Sequence, residues 1–360
     1  MKVALVYDRV NKWGGAERVL LALHELFPDA PLFTSVYHPQ TASWAKDFSI
    51  KTSFLQKIPF LSTKHELIPQ LMPLAFESFS FDGYDLVISI TSEAAKGIIT
   101  KPGTKHICYC LTPTRYLWSG YDNYFPTRTM KQVTKPAVNG LRNWDKVAAH
   151  RPDVMIAISE EVRGRIKKYY GRESMIIYPP VTLDATPSAK VKKQEKYFLL
   201  VSRLSKFAKY KRIDLAIDAF NTLKLPLKII GSGSWEDELR AKAGPTIEFL
   251  GRLTDAELVG YYKKCQALIF PGVEDFGLTM VEAQKFGKPV IAFAGGGALE
   301  IVQEGKTGYF FDHQTVESLI AAVQKFNHTT FKPEVAKKQA EKFSVEQFKK
   351  NFQAVVKKTI

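Results

Sequence analysis

In the second half of the chain, short apolar runs alternate with longer amphipathic ones. Tyr197–Val201, Leu227–Ile230, Ile247–Leu250, Ala267–Phe270, Pro289–Phe293 and Gly308–Phe311 are rich in β-branched and aromatic residues and are four or five residues long, the length of buried strands. Between them, Arg212–Leu223 puts Ile213, Ala216, Ile217, Phe220 and Leu223 on one helical face, and Thr254–Cys265, Leu278–Phe286 and Thr315–Phe326 keep the same period. Strands that alternate with helices imply right-handed βαβ units and a parallel sheet covered on both faces. The pattern predicts a Rossmann-like domain over residues 197–343.

The first half repeats the theme less regularly. A strand at Lys2–Tyr7 leads through Gly14-Gly15 into a helix at Ala16–Phe27, and further strands are predicted at Leu32–Val36, Asp85–Ile90, Lys105–Cys110, Val154–Ile158 and Met175–Tyr178. Residues 50–80 and 112–150 break the rhythm with proline, aromatic and basic residues, and are expected as insertions around the sheet. A second Rossmann-like domain over residues 1–182 follows, joined to the other by a polar, proline-containing linker at 183–196. The last stretch, 344–360, is an amphipathic helix with Val345, Phe348, Phe352, Val355 and Val356 on its apolar face. Paired α/β domains are expected to leave a crevice at the carboxyl ends of their strands, where ligands of such sheets bind.

A length of 360 residues suits two domains, and 45% hydrophobic with 24% charged residues is an ordinary globular balance. The net charge of +15 is spread evenly, with a surplus of seven in residues 1–180 and eight in the rest. That favours anionic partners such as nucleotides or lipid headgroups. Without a zinc-finger spacing or an aromatic RNA-binding motif, nucleic acid is the weaker partner. Cys108, Cys110 and Cys265 are too few and badly spaced for disulfides or zinc, and read as buried thiols of a reducing compartment. The N-terminal apolar run Val3–Tyr7 is too short for a leader and no stretch reaches membrane-spanning length, so a cytoplasmic protein is expected. His24 and His38 have no metal-like partners and read as structural.

The densest candidate chemistry is Pro271-Gly272-Val273-Glu274-Asp275-Phe276-Gly277-Leu278-Thr279-Met280-Val281-Glu282, which starts where a strand stops and runs into a helix. Glycines let a ligand approach the backbone, and the first amides of the helix suit a phosphate. Glu282, about one turn in, is placed to accept hydrogen bonds from a ribose diol, and Glu274 from sugar hydroxyls. Asp275-Phe276-Gly277 lacks the other kinase motifs.

With Glu274 and Glu282 eight residues apart, the chain resembles the retaining "group 1" glycosyltransferases of GT-B fold, whose signature is Glu-x7-Glu. Val201-Ser202-Arg203-Leu204 and the following lysine loop resemble that family's phosphate-binding segment, Ile229-Ile230-Gly231-Ser232-Gly233 its second glycine turn, and Phe249-Leu250-Gly251-Arg252-Leu253 its base-flanking segment. Ala157-Ile158-Ser159 and Tyr178-Pro179-Pro180-Val181 resemble its hinge, and the stretch around Arg115 is similar to bacterial polysaccharide mannosyltransferases. The resemblance implies a donor site in which Arg203 and a lysine of the following loop neutralise the diphosphate; Lys206, Lys209 and Lys211 compete for that role, with Lys211 the best match and Lys209 next. It gives Glu282 the ribose and Glu274 the transferred sugar, with amides of Phe276, Gly277 and Leu278 nearby and contributions from Gly231, Arg252 and Leu253. Gly14 and Gly15 would approach the diphosphate, Arg115 would serve the acceptor, and the final helix would return to the N-terminal domain.

The implied reaction moves a hexose, with mannose from GDP-mannose weakly preferred, onto a glycan or lipid-linked glycan, with retention. It needs no metal or cofactor beyond the nucleotide diphosphate sugar. Leu111 stands where many relatives have histidine. An epimerase on the same architecture, or a sugar-nucleotide-binding protein without transfer activity, are the alternatives. Residues 54–76 mix basic and bulky apolar side chains, and two readings stand: a surface lying on an anionic membrane, or an irregular part of the core.

Overall fold

The computed structural model describes residues 1–64, 68–183, 196–328 and 330–360, so nearly all of the expected linker lies outside the described residues. The chain folds as two units, Met1–Pro180 with Phe348–Ile360, and Val181–Gln347.

The first unit holds a seven-stranded parallel sheet: β1 (Val3–Tyr7), β2 (Leu32–Thr34), β3 (Ile50–Thr52), β4 (Leu86–Thr91), β5 (Lys105–Cys110), β6 (Val154–Ala157) and β7 (Met175–Ile176), in the order β3-β2-β1-β4-β5-β6-β7. One face packs Val6, Phe33, Leu55, Met72, Phe76 and Val87 into a common core. The final helix, Val345–Thr359, buries Phe348, Phe352 and Val356, and its two phenylalanines meet the buried Tyr109 of β5 at 5.8 and 6.4 Å between ring centroids.

One expectation needs correction here, and a second gains detail. Residues 50–80 are not all insertion, because Ile50–Thr52 adds an edge strand to β2. Three residues with an exposed lysine in the middle give too little alternation to read. Residues 112–150 contain a 21-residue helix, Arg128–Ala148, capped by Thr127. It buries only Val138, Leu141, Asp145 and Ala148, and carries Pro136 and Gly140 in its interior. Its apolar stripe is therefore short and its composition reads as loop.

The second unit holds a six-stranded parallel sheet: β8 (Phe198–Val201), β9 (Leu227–Ile230), β10 (Ile247–Gly251), β11 (Leu268–Phe270), β12 (Val290–Phe293) and β13 (Gly308–Phe311), in the order β10-β9-β8-β11-β12-β13. Helix Ile213–Leu223 lays Ile213, Ala216, Ile217 and Phe220 against Phe198, Leu200 and Ile229, and helix Val316–Asn327 completes that layer with Leu319, Val323 and Phe326. In each sheet the chain starts in the middle, builds outward to one edge, then returns to build the other. The connection changes side between β1 and β4 and between β8 and β11, and the crevice at the carboxyl end of such a pair is where α/β folds bind ligands.

Candidate active site

In the second unit, β8 runs into Ser202-Arg203 and the turns Lys206–Lys211, while β11 runs into the 271–277 loop. Lys211 Nζ is ion-paired with Glu274 Oε1, and both side chains are largely shielded, at 16% and 18% exposed. The two loops are pressed together by their backbones. A Cβ on Gly272 would lie 2.4 Å from Lys211 Cα and 2.6 Å from the Tyr210 carbonyl oxygen, so only glycine lets Glu274 come beside Lys211. The other two candidate lysines are engaged elsewhere. Lys206 pairs with Glu238 at 2.5 Å, and Lys209 lies 5.1 Å from the centroid of the Trp235 ring. Arg203 is exposed and makes no ion pair among the described residues.

The neighbouring turns complete a layered edge. Gly231 has φ 136°, and a Cβ there would fall 1.8 Å from the Ser202 carbonyl oxygen, so the turn after β9 lies flush on the arginine loop. The Leu204 amide donates to Ser232 O at 3.0 Å, and the Gly231 amide to Gly251 O at 2.8 Å, which brings in the exposed Arg252 and half-buried Leu253. After β12, the Gly297 amide donates to Glu274 O at 3.0 Å and steadies the carboxylate's backbone from the other side.

Helix Leu278–Lys285 opens at Gly277 without a side-chain cap; the Met280 amide donates to Gly277 O at 3.0 Å, which leaves the Leu278 and Thr279 amides to other acceptors. Phe276 turns its ring into the core against Phe343, 5.4 Å between centroids, and its backbone lies against Gly297, where a Cβ would fall 2.1 Å from the Phe276 carbonyl oxygen. Glu282 is 5% exposed, and one carboxylate oxygen accepts from the Tyr262 hydroxyl at 2.8 Å.

Arg203, Lys211, Gly231, Arg252, Leu253, Glu274, Phe276, Gly277 and Leu278 thus sit on turns at the carboxyl ends of β8, β9, β10 and β11, with Lys209 turned toward Trp235 and Glu282 one turn into its helix. Gly14, Gly15 and Arg115 belong to the first unit. Gly14 caps helix Gly15–Leu26 in an extended conformation, with no side chain on the amides behind it. Arg115 lies in the turn after β5, where its carbonyl accepts from the Gly120 amide at 2.8 Å.

At the switch point of the first sheet the chain supplies its own anion. Asp8, 1% exposed at the end of β1, accepts from the amides of Ser92, Glu93, Ala94 and Ala95 at 2.6, 3.0, 2.9 and 2.9 Å and from the Thr91 hydroxyl at 2.9 Å. Burial, reinforced by the Glu93 carboxylate, pushes the Asp8 carboxyl up, against the pull of Arg9 and the Ala95 and Ser92 amides. Every one of these contacts is an acceptance, the pattern of the ionised form. Arg9 and Glu93 pair beside it at 2.7 Å.

Lys96 and Asp145, each 1% exposed, form a buried pair at 2.5 Å. Asp145 also accepts from Thr114 at 3.0 Å, Trp118 at 2.7 Å and Tyr170 at 2.8 Å, which ties the Arg115 turn to two helices. Asp145 holds the Lys96 ammonium above its usual range although burial opposes it. Burial pushes the fully enclosed His106 down to about 3, and its Nε2 is bonded to Ser89 at 2.7 Å. The residue pattern did not single out Asp8, Lys96, Asp145, Tyr262 or Gly297. Gly295-Gly296-Gly297 after a strand repeats the strand–glycine–helix signal of 270–278, whereas the polar partners in the first unit come from distant segments and leave no local signal.

Residues 184–343 match the family described as Glycosyl transferases group 1. The second unit is a group 1 glycosyltransferase domain. The chain is 30% identical over 200 residues to the alpha-1,3/1,6-mannosyltransferase ALG2 of Dictyostelium discoideum, covering 46% of each protein. It is 27% identical over 198 residues to the GDP-mannose-dependent alpha-(1-6)-phosphatidylinositol monomannoside mannosyltransferase of Mycobacterium tuberculosis, covering 48% of this chain and 51% of that one. The chain spans about half the length of the curated relatives it matches. Anabaena HepE, solved with UDP and glucose, superimposes with a TM-score of 0.72 over 99% of both chains at 18% identity. The lipopolysaccharide outer core galactosyltransferase WaaB does so with 0.68 over 100% of both at 20%. The fold is GT-B, and the group 1 domain carries the Lys211–Glu274 pair.

Proposed function

We propose that the protein transfers a hexose from a nucleoside diphosphate sugar to a glycan or lipid-linked glycan, with retention and without a metal. The observation that carries this is the meeting of Lys211 and Glu274 at the β8–β11 switch point, on turns adjoining an exposed Arg203 and a helix start without a side-chain cap. Arg203, Lys211 and the amides behind Gly277 are of the sign and placement to take the charge that builds on a departing diphosphate. Glu282, held by Tyr262, accepts from the ribose, and Glu274 from the hydroxyls of the transferred sugar. The acceptor hydroxyl forms its bond to the anomeric carbon on the face that the diphosphate leaves. The bond from that carbon to the phosphate oxygen breaks, and the hydroxyl proton passes to the same diphosphate.

Mannose from GDP-mannose is the preferred donor, supported by the names of two mannosyltransferase relatives. No helix among the described residues is long and apolar enough to cross a membrane. We place the protein in the cytoplasm, at the surface of an anionic bilayer. In support, Phe60 and Leu74 are 78% and 56% exposed, although Leu55, Leu61, Met72 and Phe76 of the same segment enter the core.

Purified protein incubated with GDP-mannose, UDP-glucose and UDP-galactose, with and without EDTA, tests the reading through nucleoside diphosphate release and product mass. Turnover of one donor that survives EDTA is expected, and no turnover of any of them with glycan or polyprenyl-linked acceptors overturns it. Flotation with anionic liposomes at low salt tests the membrane placement.

A further inference from the structure

The charged groups on the loops after β8 and β11 are held very differently. Glu274 and Lys211 are paired with each other and largely shielded from water, whereas Arg203 stands exposed. The pair is imposed by the backbone: Gly272 is seated on Tyr210 and Lys211, and the Gly297 amide fixes the Glu274 carbonyl. Neither loop can withdraw from the other without giving up that seat. A diphosphate that recruits Lys211 therefore competes with Glu274 for the ammonium, and the carboxylate stands beside the incoming negative charge.

A bare nucleoside diphosphate offers Glu274 no compensation, because phosphate oxygens are acceptors only. A nucleoside diphosphate sugar does, because the sugar's hydroxyls donate to the carboxylate as the ammonium moves to the phosphate. We infer that Glu274 acts as a discriminator between donor and spent nucleotide: by holding Lys211 it weakens the hold on any diphosphate that arrives without a sugar, and so favours product release. The inference rests on the donor-site reading above and adds to it a second duty for Glu274, exercised through Lys211.

Calorimetric titration of the full chain with GDP and with UDP tests this in four proteins: wild type, Glu274→Gln, Lys211→Ala and the double variant. The neutral amide of Glu274→Gln releases Lys211 in the free protein, so the diphosphate that binds should bind about tenfold tighter than to wild type, one charge-assisted hydrogen bond's worth. Tightening that disappears in the Lys211→Ala background supports the exchange. Tightening that persists there overturns it, since simple repulsion by Glu274 would then be the cause. Equal or weaker binding by Glu274→Gln overturns it as well, while leaving the donor site standing if wild type binds. If no variant and no wild-type protein binds either diphosphate, the donor-site reading fails and the inference fails with it. Circular dichroism melting of each variant guards against misfolding as a cause.

Discussion

In the first unit the amides that follow β4 are taken up by Asp8, from the end of the neighbouring strand β1. In the second unit the equivalent strand β11 is followed by glycine, an ion pair that can open and a helix start with no side-chain cap. Both sheets share one strand order around the switch point, with the crevice at the same place in the topology. Strand order alone thus provides a place for an anion twice over, and the residues there decide whether the anion is internal or a ligand. An aspartate fixed among four amides is a structural element, whereas a glutamate paired with one lysine is exchangeable.

The sharpest way to break this contrast is Asp8→Ala. It strips the acceptor from four amides and a hydroxyl, and buried donors without partners cost about 1–3 kcal/mol each. A loss of at least ~4 kcal/mol is expected in guanidinium unfolding, confined to the first unit. Glu274→Ala breaks one largely shielded pair and should cost less, about 1–2 kcal/mol, while abolishing transfer. Equal destabilisation by the two would end the comparison.

Acid should separate the units next. His106 is depressed to about 3 in the fold, so the folded state keeps it neutral while the unfolded chain takes up a proton below about pH 6.5. Its contribution is present above that pH and is lost at up to ~1.4 kcal/mol per pH unit on the way down to about 3. Replacing His106 by Gln should flatten that part of the stability–pH curve, with an unchanged slope counting against it.

Within the proposed donor site, Tyr262→Phe removes one hydrogen bond to Glu282 and should weaken donor affinity by roughly fivefold, about 1 kcal/mol, in a titration with the active donor. The smallest effect is expected for Lys206→Ala. This lysine is engaged with Glu238 at the surface, so kcat/KM should change less than ~2-fold, whereas Lys211→Ala should lower it by tenfold or more. Comparable losses for the two lysines would mean that the loop is rearranged when donor binds.

The second unit was easier to read because its sequence is locally consistent. Leu227–Ile230 and Gly308–Phe311 stand where their apolar runs place them, and helix Ile213–Leu223 begins one residue after the expected start. Helix Glu236–Lys242 was not anticipated, since it buries only Leu239 and shows almost no apolar face. In the first unit, helix Arg128–Ala148 is hidden by the same shortage of buried positions. At the site, strand–glycine–helix grammar points to residues 271–282 and to the lysine loop. Which of three lysines meets Glu274 depends on where Gly272 rests, a tertiary fact. Asp8 and its amides are 84 to 87 residues apart, and Lys96 and Asp145 meet only in the fold. Such partners follow no short-range spacing.

The contact between Gly231 and the Ser202 carbonyl has a consequence for how this site can change. Main chain docked on main chain fixes the spacing of the turns after β8 and β9 independently of which side chains rim them. Under random mutagenesis, position 231 should tolerate nothing with a β-carbon, while Arg252 and Leu253, one strand away, accept many replacements. Anyone seeking to redirect the protein to another nucleotide or sugar would do well to vary the rim and leave that single glycine alone, since it sets the gauge to which every alternative ligand is cut.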